Sequence, residues 1–395
     1  MKNVAIIIQK LNGGGAERTA SNLSLSLKDH YNVHLIVFDG RDITYPYEGT
    51  LHDLQLPPVK GKVKKLLNMR KRVSAVKKIL KKEKIDCAIS LMDGANLVNI
   101  MSKRDNRVIT SIRQHMSKLT VNPAGVNKKM QYKSMQLIAK KSDCVVPLSK
   151  GVEKDLHDAY GFPYEKMVTI YNPCDYEKLR EMTSQKEKTL ALEKGNALIT
   201  MGRLNKQKGQ WHLIRALTLV KKQIPDVKLY VFGEGELRAP LEKLIKDLNL
   251  EENVKLLGYV EAPHAYLDDC DCFVFPSVQE GLGNVLLEAM AFGKPCISAD
   301  CPSGPREILA PGTGIKEKLD EVEYAQYGVL TSVCSGGNFN AEDPLSREEK
   351  QLAEAIVTML MDEELRKKYA QMSRQRIQDF SPEKITRDWI KVIEN

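Results

Sequence analysis

Two pairs of charged residues are spaced for chemistry on an anionic, hydroxyl-rich molecule. In Pro276-Ser277-Val278-Gln279-Glu280-Gly281-Leu282-Gly283-Asn284-Val285-Leu286-Leu287-Glu288, one carboxylate precedes a Gly-x-Gly turn and a second follows eight positions later. If a helix begins near Gly283, Glu288 falls in its second turn among Val285, Leu286 and Leu287, where an unpaired carboxylate is costly. A hydroxyl-rich partner would satisfy it. Glu280 sits where the N–H groups of the turn also point, so carboxylate and amides together can hold a polyol sugar and its phosphate. The plainer alternative is an acid at a helix N-terminus and one glutamate reaching to solvent. The second pair is Arg203 and Lys208, five apart in Met201-Gly202-Arg203-Leu204-Asn205-Lys206-Gln207-Lys208-Gly209. Across a loop entering a helix both cations can converge on one anion, Arg as a planar fork and Lys as a point charge. A diphosphate fits such a pair, although two solvated surface cations would read the same way on this segment alone.

Glycine turns add to these pairs. Asn12-Gly13-Gly14-Gly15-Ala16-Glu17-Arg18 opens a helical pattern, and its glycines let backbone N–H groups approach an anion. Arg18 stands where a dinucleotide fingerprint needs its third glycine. Gly233-Glu234-Gly235 is a second tight turn into a helix and is weak by itself.

All of these residues follow short β-branched runs. Runs at 4–9, 33–38, 85–91, 108–112, 144–148 and 167–171 alternate with helical patterns at 16–29, 64–84 and 128–140. A second series has strands at 197–202, 228–232, 254–257, 272–276, 295–299 and 328–330, with helices near 209–223, 236–248, 283–292 and 347–360. Alternation of this kind predicts two doubly wound parallel α/β sheets, with ligands at the carboxyl ends of the strands. The polar stretch 173–194 divides them, giving domains 1–173 and 174–380; a helix over 382–394 follows the Ser381-Pro382 start signal, and 381–395 could cross back to the first domain.

Length and composition agree. The 395 residues are 42% hydrophobic and 28% charged with a formal net charge of +9, as expected of a globular two-domain chain rather than a disordered or disulfide-stapled one. Residues 1–180 carry 32 Lys+Arg against 17 Asp+Glu, whereas 181–395 carry 28 against 34, so the basicity belongs to the first half. No run approaches the roughly 18 apolar residues of a spanning helix, and 4–8 is too short for a secretory signal, which makes the cytosol the default expectation. The eight cysteines lack metal-ligand or disulfide spacing and read as reduced and mostly buried.

Glu280 with Glu288, Arg203 with Lys208, the Gly13–Gly15 turn, Gly233-x-Gly235, Asn172-Pro173 and Gly304-Pro305-Arg306-Glu307 together resemble glycosyltransferase family 4, retaining enzymes of the glycosyltransferase-B fold. The likeness runs in order over nearly the whole chain and is greatest to bacterial enzymes that build capsule, lipopolysaccharide or lipid-linked glycans. It implies two Rossmann-like domains facing each other across a cleft, an acceptor-side first domain and a donor-binding second one. It further implies a nucleotide-sugar co-substrate, UDP-linked as a rule, and no metal or other cofactor. Carried over by position, Arg203 and Lys208 would neutralise the donor diphosphate, Glu288 would hold the ribose hydroxyls and Glu280 would orient the transferred sugar. Backbone N–H groups at Leu282, Gly283, Asn284 and Val285, and at Gly14 and Gly15, would complete the cradle, with Gly233 beside it.

One departure concerns the first-domain histidine that many relatives carry near the reacting carbon. Here the stretch reads Thr110-Ser111-Ile112-Arg113-Gln114-His115, so either His115 or Arg113 could take that place. Asp269-Cys270-Asp271 resembles the metal-binding acid pair of another glycosyltransferase fold but lies far in sequence from Arg203 and Glu280, and reads as a helix end.

From Lys60 to Lys84 run twelve Lys/Arg and one acid, Glu83, with Leu66, Met69, Val73, Val76 and Leu80 at helical spacing. Such an amphipathic helix suits an anionic membrane surface or simply docks on its own sheet. Nucleic acid is disfavoured because no Phe, Trp or Tyr occurs from 48 to 131, which removes stacking platforms. The sequence therefore predicts a retaining glycosyltransferase acting on a glycan or polyprenyl-linked acceptor at the inner membrane face, with acceptor choice on loops such as 116–127. A nucleotide-sugar epimerase or hydrolase of the same fold, and a non-catalytic nucleotide-sugar or nucleic-acid binding protein, are the alternatives.

Overall fold

A computed structural model of the chain describes residues 1–117, 128–184, 188, 190–193, 195–315, 319–337 and 339–395. It divides into two compact units, Met1–Asn172 with Pro382–Asn395, and Pro173–Ser381.

The first unit is built on the sheet order β3-β2-β1-β4-β5-β6, all parallel. The strands are β1 (Asn3–Ile8), β2 (Asn32–Val37), β3 (Thr50–Asp53), β4 (Cys87–Leu91), β5 (Arg107–Ile112) and β6 (Cys144–Pro147). β1, β4 and β6 are almost continuous apolar runs because helices cover both sheet faces. Sequence patterning missed β3, whose Thr-Leu-His-Asp lies half-exposed at the sheet edge and carries no hydrophobic run. Residues 167–171 form no strand, only a single bridge between Met167 and Val145, so the chain leaves the sheet after β6. The terminal helix Pro382–Glu394 belongs to this unit: Ile385, Trp389, Val392 and Ile393 join the core around β1 and β2, and Glu394 receives the Tyr31 hydroxyl at 2.7 Å.

The second unit has the order β12-β13-β11-β10-β7-β8-β9. Its strands are β7 (Ala197–Met201), β8 (Lys228–Phe232), β9 (Val254–Gly258), β10 (Cys272–Phe275), β11 (Cys296–Ala299), β12 (Glu323–Tyr324) and β13 (Val329–Thr331). All pairs are parallel except the two-residue edge β12, too short to show a pattern in sequence. Helix Gln210–Gln223 carries Trp211, Leu213, Ile214 and Leu217 into a core shared with Leu352, Ile356 and Tyr369 of the later helices. Ser346 and Glu349 form a reciprocal capping box at the start of Arg347–Met361.

In each sheet the strand order reverses once within the parallel run, between β1 and β4 and between β7 and β10. Loops leaving the carboxyl ends of these strand pairs diverge and leave a crevice, where doubly wound sheets bind ligands. Arg203, Lys208 and Glu280 leave β7 and β10; the Gly13–Gly15 turn leaves β1.

Candidate active site

The loops after β7 and β10 are tied together by backbone. Val278 N donates to Gln207 O at 2.9 Å, and Gln207 Nε2 donates to Gln279 O at 2.9 Å. Within that frame Lys208 Nζ stands 2.6 Å from Glu280 Oε1, with the carboxylate buried. The ammonium also lies 5.3 Å from the centroid of the Phe275 ring. Arg203 is exposed, and its side chain has no hydrogen-bond partner among the described residues; only its carbonyl is engaged, by Gln210 Nε2 at 2.9 Å. Of the two cations singled out by spacing, one is held by a carboxylate and one is free to meet a ligand.

Glycine geometry allows the neighbouring loops to close on this pair. Gly233 has φ +139°, and a Cβ there would overlap the carbonyl oxygen of Gly202, just before Arg203. Gly304, at φ +97°, meets the carbonyl of Leu282 in the same way. Leu282 is buried, and Gly283 with φ +93° turns the chain into helix Asn284–Ala291. The N–H groups of Asn284 and Val285 therefore open a helix, where the first amides lack acceptors within it.

Glu288 is buried in that helix, and it is not the uncompensated carboxylate the sequence suggested. Its Oε2 lies 2.8 Å from His264 Nε2. His264 sits in the 3-10 segment Pro263–Asp269 after β9, its ring stacked 6.3 Å from Phe292. Sequence reasoning missed it; the usable signal was a Pro-His step shortly past a strand's carboxyl end. Near Glu280, burial together with the Glu280 charge pushes the Cys301 thiol well up, and the Ser277 and Ser303 hydroxyls are buried without a hydrogen-bond partner among the described residues.

Other motifs have structural duties. Asp269 pairs with Lys188 and Asp271 accepts from Ala197 N at 2.9 Å, so this pair pins a strand start. Arg306 bonds Asp300 at 2.7 Å and Glu323 at 3.0 Å, and Glu307 accepts from Gly304 N at 3.3 Å. Among the described residues no three His, Cys, Asp or Glu side chains form a group that could hold a metal ion, and the eight cysteines are buried thiols outside any disulfide.

In the first unit Gly13 has φ +65°, and space over Gly13 and Gly15 is open, while the Glu17 carboxylate fills the space beside Gly14. Helix Gly15–Leu27 begins there. Arg113, at the carboxyl end of β5, donates to Ser111 Oγ at 3.2 Å, to Thr19 Oγ1 of this helix at 3.3 Å, and to Asn172 Oδ1. Burial pushes its guanidinium down to about 9. His115 turns elsewhere: its Nδ1 lies 3.3 Å from Asp155 Oδ1, while Asp155 Oδ2 accepts from Met116 N and Ser117 N at 2.7 and 3.1 Å. Of the two candidates in this stretch, Arg113 is the one joined to the helix after the glycine turn. The 116–127 loop lies outside the described residues from 118 onward. At the other side of the crevice Asp93 follows Met92, which holds φ +77°, and burial raises the Asp93 carboxyl to about 6.

Two doubly wound α/β units with such residues at the carboxyl ends of their strands define an enzyme of the glycosyltransferase-B fold. Family models agree along the chain: "Glycosyltransferase Family 4" matches residues 13–178 and "Glycosyl transferases group 1" matches 181–321. An uncharacterized glycosyltransferase of Methanocaldococcus jannaschii is 34% identical over 338 residues, covering 82% of this chain and 83% of the relative. An N-acetylgalactosamine-N,N'-diacetylbacillosaminyl-diphospho-undecaprenol 4-alpha-N-acetylgalactosaminyltransferase of Campylobacter jejuni is 29% identical over the full length of both chains. Among solved structures, Anabaena HepE in complex with UDP and glucose superimposes with a TM-score of 0.72 at 19% identity, covering all of both chains. The chain belongs to glycosyltransferase family 4 and is a hexosyl- or N-acetylhexosaminyltransferase.

Proposed function

We propose that this enzyme transfers a sugar from a UDP-linked donor to a hydroxyl of a diphosphate-lipid-linked glycan in cell-surface polysaccharide biosynthesis, with retention at the anomeric carbon. The observation that carries this reading is the Lys208–Glu280 pair at the strand-order reversal of the second unit, with the exposed Arg203 on the same loop after β7. Arg203 would take the donor diphosphate, and Lys208, held ready by Glu280, would share the charge that grows on the leaving nucleotide. Glu288, fixed by His264, would accept the ribose hydroxyls, and the amides opening helix Asn284–Ala291 would face the phosphates. Glu280 has a second oxygen to orient the transferred sugar. The acceptor hydroxyl bonds to the anomeric carbon on the face the diphosphate leaves; the carbon–phosphate-oxygen bond breaks, and a phosphate oxygen takes the hydroxyl proton. The products are the glycoside and the nucleoside diphosphate, and no protein nucleophile is needed. Preorganised cations supply the main stabilisation.

The first unit would serve the acceptor. The name of the Campylobacter relative includes a diphospho-undecaprenol acceptor, and helix Lys62–Lys82 supports a membrane-facing role. Val76 and Leu80 dock it on the sheet, while Val63, Leu66 and Leu67 stay exposed among lysines at its start. None of the helices in the described residues is long and apolar enough to cross a membrane, so contact would be peripheral, at the cytoplasmic face. Replacing Lys64 and Lys65 by Gln should weaken binding to anionic liposomes by about 1 kcal/mol per residue and leave hydrolysis of the donor unchanged.

A panel of UDP-, GDP- and ADP-sugars tested for turnover, with and without a lipid-diphosphate glycan, tests the reading. Acceptor-dependent transfer from a UDP sugar supports it. Donor turnover indifferent to acceptor would favour an epimerase or hydrolase.

A further inference from the structure

Five arginines are buried among the described residues: Arg72, Arg113, Arg215, Arg306 and Arg376. Three of them have carboxylate partners, Arg215 with Glu349 at 2.9 Å, Arg306 with Asp300 at 2.7 Å, and Arg376 with Asp379 at 2.5 Å. Arg72 bonds the Leu56 carbonyl at 2.6 Å, stands 4.5 Å over the Phe38 ring and feels the charge of Asp39. Arg113 has none of these compensations. Its guanidinium donates to three neutral oxygens, those of Ser111, Thr19 and Asn172, and no carboxylate among the described residues pairs with it.

Burying a cation without a counter-charge is expensive, and the lowered guanidinium, at about 9, still carries its proton at neutral pH. Joining a threonine, a serine and an asparagine requires only a neutral donor. The charge is therefore surplus to the structural task, and its placement says what it is for. It stands at the carboxyl end of β5, bonded to the helix that follows the glycine turn, where the space over Gly13 and Gly15 is open. A planar fork beside a hydroxyl matches phosphate oxygens in geometry as well as in charge.

We propose that Arg113 forms a phosphate-binding site on the first unit, taking a phosphoryl oxygen of a diphosphate-bearing substrate, while Thr19, whose hydroxyl donates to Gly15 O at 2.9 Å and accepts from the guanidinium at 3.3 Å, positions the fork. The identity of that substrate class rests on the glycosyltransferase reading: the shared chemistry is the diphosphate, carried either by the sugar donor or by the lipid of the acceptor.

The test is calorimetric titration of the full chain and its Arg113→Gln and Arg113→Lys variants with two probe pairs, UDP against uridine and farnesyl diphosphate against farnesol. Arg113→Gln is expected to weaken one diphosphate probe at least tenfold and leave its phosphate-free partner unchanged; Arg113→Lys, with charge but no fork, should fall between. Loss confined to UDP assigns the site to the donor, and loss confined to farnesyl diphosphate assigns it to the acceptor. If Arg113→Gln does not fold by circular dichroism, a threefold or greater loss in Arg113→Lys decides in favour. Folded variants that bind both diphosphates as the wild type does overturn the proposal, and wild-type sugar transfer persisting in the same preparation leaves the functional reading standing. Absence of transfer from any nucleotide sugar, with the Arg113-dependent diphosphate binding intact, would sink that reading and keep the site.

Discussion

The carboxyl edges of the two sheets manage charge in opposite ways. In the second unit it comes in pairs: Lys208 with Glu280, His264 with Glu288, Arg306 with Asp300 and Glu323. Arg203 stands outside this scheme, exposed and without a side-chain partner among the described residues. In the first unit His115 lies against Asp155, but Arg113 is buried against neutral oxygens and Asp93 is desolvated. Pairing holds groups in position before a ligand arrives, which suits a site that must stabilise a leaving diphosphate without reorganising. Unpaired burial stores free energy that a ligand of opposite charge can recover.

The contrast can be broken most severely on the paired side. Arg203→Ala and Lys208→Ala should each lower kcat/KM for the nucleotide sugar by a factor on the order of 10² to 10³, about 3–4 kcal/mol, with the melting temperature of Arg203→Ala unchanged. Equal kcat/KM in folded Arg203→Ala would mean that the free cation is a bystander. The frame beneath the pair is tested by Gly233→Ala, whose methyl would meet the Gly202 carbonyl from a left-handed backbone. A loss of about 3 kcal/mol in denaturant unfolding is expected, against almost none for Gly13→Ala in its open space beyond the cost of positive φ.

On the unpaired side the effect is smaller and depends on pH. The Asp93 carboxyl rises from 3.8 to about 6 on folding, so between these values the native state holds more protons than the unfolded one. Stability contributed by this group is then greatest below about 4 and declines as pH rises through 6. Asp93→Asn removes that decline: it should stabilise the protein by ~1 kcal/mol at pH 8, after discounting for partial exposure, and by nothing at pH 4. A gain that is the same at both pH values would mean that it does not come from the Asp93 charge, and a loss at pH 8 would mean that an opposite charge stabilises the carboxylate.

Much of this was legible before the fold. Continuous apolar runs such as Val4 to Ile8 and Cys272 to Phe275 marked central parallel strands, and from the strand-to-helix loops Arg203, Lys208 and Glu280 could be named by spacing. Partnerships were less legible. His264 reaches Glu288 from a segment 24 residues away, a distance no local pattern encodes, so Glu288 read as unpaired. The edge strand Thr50–Asp53 lacked apolar alternation because one side of it has no neighbour. Arg113 and His115, two residues apart, could not be told apart from sequence, because what separates them is contact with Thr19 and Asn172 on one side and with Asp155 on the other.

On the proposed reading, the loops after β7 and β10 hold the diphosphate of a nucleotide through Arg203 and the Lys208–Glu280 pair. Calorimetric titration of UDP into the wild type and into Arg203→Ala tests it most directly. Measurable binding by the wild type, weakened at least tenfold in the folded variant, is expected; identical affinities, or no binding of any nucleoside diphosphate by the wild type, would overturn the assignment.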